Sequence, residues 1–124
     1  MANYNELPVF KAIYDLLLRV FQMSQHWRRD LRYTLGENLK QEIIEILQLI
    51  YQANSSRKKI AFISACRVKM VKVSMQIRIV KDMKEIKIAQ YASLAELVEN
   101  ISKQLTGWER GERKREKSSV DKNQ

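Results

Sequence analysis

The chain contains few of the residues that interrupt helices, with three Gly and one Pro among 124 residues. An all-β domain needs many tight turns, and Gly and Pro are the residues that mark them. The composition therefore argues against a β-sandwich and favours long helices with short connections. A chain of this length is expected to form one domain with a sizeable hydrophobic core.

Residues that carry chemistry are equally scarce. His26 is the single histidine and Cys66 the single cysteine, which excludes a two-histidine metal site and an internal disulfide. No Gly-rich phosphate-binding loop occurs. Glu42 and Glu45 share a helical turn, but carboxylates on a helix usually form a solvated face. We therefore predict a protein that is not an enzyme, with no catalytic residues, no metal site and no cofactor.

Long hydrophobic runs are also absent. No apolar stretch approaches the roughly 20 residues that a membrane-spanning helix needs. The first residues, MANYNELPVF, do not show a basic segment followed by an apolar one, which is the pattern of an export signal. We expect a cytoplasmic protein without a membrane partner.

Acidic residues are missing from the middle of the chain, where no Asp or Glu lies between Glu45 and Asp82. Within this stretch, residues 57–81 contain eight Lys or Arg and account for almost all of the formal net charge of +9. The isoelectric point is about 9.8. Such a localised charge predicts an anionic partner, which could be nucleic acid, an acidic protein or a membrane surface.

Four segments show the three- and four-residue apolar spacing of amphipathic helices, at about 8–24, 30–53, 56–80 and 87–108. The second helix could begin at Asp30, or at Thr34 through a capping box with Glu37. The apolar period already includes Leu31 and Leu35, so Asp30 is favoured. The face predicted for the first helix comprises Phe10, Ile13, Tyr14, Leu17, Val20 and Phe21.

These segments predict an all-α fold, an antiparallel up-down four-helix bundle over residues 1–109. Gly107 and Gly111 are expected to mark the end of the fourth helix. Residues 110–124 are rich in charge and nearly devoid of apolar side chains, so we predict a disordered tail there.

The third helix carries two apolar rows. The first is a heptad seam suited to the bundle core, formed by Ile63, Cys66, Met70, Val73, Ile77 and Val80. The second row lies on the opposite side and is formed by Val68, Val71, Met75 and Ile79. A helix in an isolated bundle needs one buried stripe. We therefore predict that the second row is an oligomer interface between copies of the chain.

The cations supply a candidate nucleic-acid surface. At the first joint, Trp27 stands beside Arg28, Arg29 and Arg32, where it could stack on a base or instead close the end of the bundle. The other candidates lie at the start and along the flanks of the third helix. The complete set is Arg28, Arg29, Arg32, Arg57, Lys58, Lys59, Arg67, Lys69, Lys72, Arg78 and Lys81.

Three stretches together resemble the accessory variability determinant (Avd) family of diversity-generating retroelements. They are RYTLG at 32–36, IIEILQLIYQA at 43–53 and ISKQLTGW at 101–108. The resemblance covers about residues 8–110. Each stretch alone is weakly specific, whereas their order and spacing are more so.

The resemblance implies a four-helix bundle that assembles as a homopentameric barrel. It implies binding to RNA and DNA, including template RNA and cDNA, and to the reverse transcriptase of the element. The role would be non-catalytic support of mutagenic cDNA synthesis. An alternative with the same architecture is the RNA-binding or adaptor protein encoded in intervening sequences of 23S ribosomal RNA genes. A protein-only adaptor that meets an acidic partner is a further alternative.

Overall fold

A computed structural model describes residues 3–122 of the chain. A short 3-10 turn at Tyr4–Glu6 precedes helix α1, Pro8–Ser24. Helix α2 consists of three contiguous segments: α-helical Arg29–Leu31, π-helical Arg32–Gly36 and α-helical Glu37–Ser55. Helices α3, Lys59–Asp82, and α4, Ile88–Lys122, complete the described chain, in which no strand occurs. The predicted all-α class is confirmed.

Each helix packs against the helices next to it in the chain, and α4 returns to contact α1. This order of contacts is that of an antiparallel up-down bundle, in which short joints place sequential helices side by side. One end of the bundle holds the α1–α2 and α3–α4 joints, called the Arg28 end below. The other holds the α2–α3 joint and is called the Arg57 end.

Helix α1 begins at Pro8, whose missing N–H would have no helical partner in the first turn. Its buried stripe includes Ile13, Leu17 and Val20, as predicted. Tyr14 and Phe21 were assigned to that stripe wrongly, since they are 48% and 41% exposed. The stripe is instead completed by other residues, Val9 and Leu16, which rotates the buried face of the helix away from the two rings.

Helix α2 starts at Arg29, one residue before the predicted Asp30. The alternative start at Thr34 is wrong, because the Thr34 hydroxyl donates backwards to the Asp30 carbonyl oxygen at 2.7 Å and caps nothing. Gly36 is buried beneath the Trp27 indole, and a Cβ at this position would lie 3.5 Å from the ring. This is ordinary van der Waals contact, so the joint packs against the helix here without requiring a glycine.

The seam predicted on α3 is confirmed, since all six of its residues are buried in the core. The helix ends in a Schellman motif, in which the N–H of Glu85 donates to the Val80 carbonyl and the N–H of Lys84 to the Lys81 carbonyl. Lys84 occupies the left-handed position of this motif, with φ of 62°. Glycine is the usual residue there.

Helix α4 continues through Gly107 and Gly111 to Lys122, so the helix end predicted near Trp108 is wrong. The described part of the predicted disordered tail, 110–122, is helical. Each glycine costs about 1 kcal/mol within a helix, but the surrounding Glu, Lys and Arg are strong helix formers. Ion pairs one turn apart, such as Arg115–Glu112, support the helix further. Residues 123 and 124 of that prediction lie outside the described residues.

No helix between residues 3 and 122 is both long and apolar enough to cross a membrane.

Candidate nucleic-acid interface

The cations in the middle of α3 face carboxylates from the neighbouring helix α2. Lys69 Nζ lies 2.9 Å from Glu45 Oε2 and 3.5 Å from Glu42 Oε2. Lys72 Nζ lies 3.1 Å from Glu42 Oε1. Glu42 is buried and faces both ammonium groups. The stretch that is free of acids in sequence is therefore not free of acids in space.

These ion pairs perturb the titration of their members. The hydrogen bond from Lys69 lowers the pKa of Glu45, and the same bond raises the pKa of Lys69. Both shifts favour the charged forms of the two groups. Lys69 is therefore held as a cation that already has an anionic partner.

Helix α4 provides the next carboxylate, Glu109. It accepts hydrogen bonds from the Ser64 hydroxyl and the Arg67 guanidinium and lies 3.7 Å from Arg113. The bond from Ser64, followed by that from Arg67, lowers the pKa of Glu109 although the side chain is buried. Arg67 thus links α3 to α4 and presents less free positive charge than its exposed position in the sequence pattern indicates.

Three of the predicted cations are exposed and make no ion pair within the described residues. These are Arg29 at the Arg28 end and Arg57 and Lys58 at the Arg57 end. Arg78 is close to this class, because its only pair is a long one, 3.9 Å from Asp82, and its side chain is 72% exposed. These four residues are called the open cations.

Lys59 has a different role. Its Nζ donates to the carbonyl oxygens of Ala53 and Asn54 at 2.8 and 2.9 Å, where α2 ends. A cation at the C-terminus of a helix satisfies carbonyls that lack helical partners and complements the dipole. The presence of Lys59 at the start of α3 is thus explained by the end of α2.

The first joint is organised by Glu85 of the α3–α4 joint. Its carboxylate accepts the backbone N–H of Arg28 at 3.2 Å and lies 2.8 Å from Arg28 Nε. Trp27 is buried, 5% exposed, and belongs to the core, so of the two alternatives the structure supports the one in which it closes the bundle end. The exposed aromatic ring at this joint is that of Tyr33.

Arg32 lies beside that ring. Its Nη1 donates to the Gln25 carbonyl oxygen at 3.1 Å, and its guanidinium carbon lies 4.9 Å from the centroid of the Tyr33 ring. Lys81 makes a similar contact, with Nζ 4.4 Å from the Tyr91 ring centroid, and also lies 3.6 Å from Asp82. Both cations are therefore partly engaged within the protein.

The structure distributes the predicted cations along the bundle rather than in one patch. Some lie at the Arg28 end, some along the middle of α3, and Arg57 to Lys59 at the Arg57 end. Sequence reasoning missed the compensating carboxylates and the exposed ring of Tyr33. The spacing of Glu42 and Glu45 on one face of α2 was the available signal for the former.

The second apolar row of α3 is exposed as the sequence pattern indicated, with exposed fractions between 46% and 71%. It borders two adjoining clefts along the α3–α4 side of the bundle. The cleft walls include Val71 and Met75 from α3 and Tyr91 and Ser102 from α4. Whether another copy covers this row stays a prediction.

Cys66 is fully buried, and burial raises the pKa of its thiol to about 12, so the thiolate is disfavoured. Within residues 3–122 no group of His, Cys, Asp or Glu side chains is arranged to hold a metal ion.

Comparison with known families settles the assignment. The sequence profile described as bAvd-like matches residues 9–112, which is most of the chain and includes nearly all of α1, the whole of α2 and α3, and most of α4. The chain belongs to the bAvd-like family. The resemblance to the Avd family is thereby confirmed, and an accessory role in a diversity-generating retroelement is the function that this family indicates. A comparison of this bAvd-like protein with curated proteins finds no match.

Proposed function

We propose that this bAvd-like protein is a non-catalytic accessory subunit of a diversity-generating retroelement. In this role it binds nucleic acid and the reverse transcriptase of the element and supports mutagenic cDNA synthesis from template RNA. The observation that carries the proposal is the family match over residues 9–112. The concentration of positive charge on α3 and its flanking joints is consistent with it.

The active form in this proposal is a homopentameric barrel. The outer row of α3, defined by Val68, Val71, Met75 and Ile79, supplies one side of each contact between copies. Burial of this exposed apolar row stabilises the contact by roughly 25 cal/mol for each Å² of apolar surface removed from water. Repetition of α3 around a closed ring also multiplies the local positive potential that an anionic ligand meets.

Nucleic acid would bind first to the open cations, because these residues do not have to break a strong ion pair before they contact a phosphate. Arg67, Lys69 and Lys72 can contribute only as far as phosphate oxygens compete with Glu42, Glu45 and Glu109. Contacts of this kind read phosphates rather than base edges. Little sequence discrimination is therefore expected of the isolated protein, within about tenfold, which is about 1.4 kcal/mol.

The proposal is tested by binding and by reverse transcription together. The triple variant Arg29→Gln, Arg57→Gln, Lys58→Gln removes three open cations, and Lys11→Gln, Lys103→Gln, Lys117→Gln removes the same charge elsewhere on the exposed surface. The first set should weaken RNA binding and flatten its dependence on salt, because each lost phosphate contact reduces the log–log slope by about 0.7 to 0.9. The second set should have a smaller effect.

Reverse transcriptase purified with and without this protein provides the second measurement. Wild-type protein should be retained on the immobilised enzyme and increase cDNA synthesis from the template RNA, and the open-cation variant should do so less. A wild-type protein that binds neither RNA nor DNA at low salt, or leaves cDNA synthesis unchanged, would refute the proposal. A protein-only adaptor would be retained by a partner without any affinity for RNA.

A further inference from the structure

The ring of Tyr33 is the most exposed aromatic side chain in the described chain, at 60%. It projects from the π-helical segment of α2, at the Arg28 end of the bundle. An exposed tyrosine at a cationic joint is a different feature from the apolar row of α3, because the group placed against its ring is the Arg32 guanidinium rather than Val or Met.

Arg32 fixes one side of the ring. Its guanidinium carbon is 4.9 Å from the ring centroid, and its Nη1 is held by the Gln25 carbonyl oxygen at 3.1 Å. Because the Arg32 guanidinium lies over one face of the ring, the exposed surface of Tyr33 is mainly on the opposite face. The ring is therefore an exposed flat surface with the Arg32 guanidinium against one side.

The surroundings favour a polyanion. Arg29 lies four residues before Tyr33, is exposed, and has no acidic partner among residues 3–122. The same end carries the exposed cations Arg78, Lys84 and Lys87 and the exposed acids Asp30, Glu37 and Asp82. The acids already face cations of the protein, since Asp30 and Glu85 lie within 4.0 Å of Arg28, Glu37 lies 3.3 Å from Lys40 and Asp82 lies 3.6 Å from Lys81.

We infer that Tyr33 stacks on an unpaired base of single-stranded nucleic acid, while Arg29 and Arg32 hold the phosphates on either side of it. Sequence-tolerant binding to single strands characteristically combines aromatic stacking with a cationic groove. A paired base is stacked on its neighbours and can present its face only after it is flipped out of the helix. The protein should therefore prefer single strands to duplexes. The inference rests on the nucleic-acid binding proposed above.

Two other aromatic side chains are less suited to this role. Trp27 is buried in the core. Tyr51, at the Arg57 end, is exposed, but its ring is engaged edge-on by Tyr4 with the centroids 5.0 Å apart. Tyr33 alone among these three combines an exposed ring with a guanidinium already placed against it.

The test compares binding of the full chain to a short unstructured RNA strand, the same strand with abasic positions, and the matching duplex. Tyr33→Leu should weaken binding to the intact single strand about fivefold to 150-fold, the range expected from losing one stacked base. Binding to the duplex should change less than about twofold. Tyr33→Phe keeps an aromatic ring and should retain the wild-type preference. Tyr14→Leu is the matched control, since Tyr14 is also an exposed tyrosine, on α1.

The abasic strand identifies the base as the contacted group. Wild-type protein should lose affinity when bases are removed, whereas Tyr33→Leu should bind both strands alike. Two outcomes would overturn the inference and leave nucleic-acid binding in place. In the first, Tyr33→Leu weakens binding to the single strand and to the duplex equally. In the second, the abasic positions reduce the affinity of the wild-type protein and of Tyr33→Leu by the same factor. Absence of all binding by wild-type protein would instead refute the proposed function, and this inference with it. Circular dichroism of each variant confirms that the bundle is folded.

Discussion

Lys84 occupies a backbone position at which another residue would give a more stable folded protein. It holds φ at 62° in the Schellman motif that ends α3, and a side chain with a Cβ is strained there. Lys84→Gly should raise the free energy of unfolding by about 0.5 to 1 kcal/mol, since relief of this strain exceeds the added freedom of the unfolded chain. Urea denaturation measures this change.

Lys84→Ala is the matched control, since it removes the same charge but keeps the Cβ. A gain in stability by the alanine variant equal to that of the glycine variant would show that charge repulsion at the Arg28 end, and not backbone strain, was relieved.

The carboxyl group of Glu109 makes the stability of the folded protein depend on pH. Its folded-state pKa is lowered from 4.5 by Ser64 and Arg67, so its contribution is present above about pH 4.5 and is lost as the pH falls through the lower folded-state value. Glu109→Gln should therefore be less stable than wild type at pH 7, and the difference should shrink in acid. Urea unfolding at both pH values tests the sign, and a difference that grows in acid would contradict it.

At the scale of the helices, the spacing of residues in the sequence predicted those features that depend only on nearby residues. The seam of α3 and the bounds of α1 follow from apolar spacing and from Pro8, and both agree with the structure. The carboxylate partners of the α3 cations were missed because they lie 24 to 42 residues away in sequence. Spacing within α3 contains no information about which side chains the adjacent helices bring against its flanks.

The burial of Trp27 was left open by the sequence for a related reason. Gly36 lies in another turn of the chain, and only the packed joint shows that the indole packs against it. The helical extension of α4 past Gly107 and Gly111 was missed because two glycines were given more weight than the strong helix formers around them.

The ion pairs between α2 and α3 limit the free positive charge on the face that these helices share, and this leads to a prediction about nucleic-acid binding. Glu45→Gln should leave Lys69 with only the longer contact to Glu42 and strengthen nucleic-acid binding by no more than about fivefold, since exposed ion pairs contribute little. Glu99→Gln removes the same charge from α4, where Lys103 is the one ion-pair partner of Glu99 among residues 3–122. Equal effects of the two variants on affinity would show that only net charge matters.

For the whole molecule, the decisive question is what covers the outer row of α3. A bundle that stays monomeric would leave four apolar side chains at helical spacing in water, next to clefts that continue the apolar surface onto α4. In the proposed ring each row is buried by a neighbouring copy. A charge placed there must be desolvated without a partner, which costs several kcal/mol per contact. Because a closed ring repeats the contact, this cost recurs at every interface.

The double variant Val71→Asp, Met75→Asp should consequently dissociate the assembly into folded monomers. Light scattering after gel filtration should give five times the 14.7 kDa chain mass for wild type and a single chain mass for the variant, with unchanged helicity. Ile88→Asp is the control, because Ile88 is 80% exposed at the start of α4, belongs to another helix and lines neither cleft, so the mass should stay unchanged. Wild-type protein that is monomeric at micromolar concentration would refute the predicted interface. A variant that assembles like wild type would place the contact on another face of the bundle, which would leave the exposure of the α3 row unexplained.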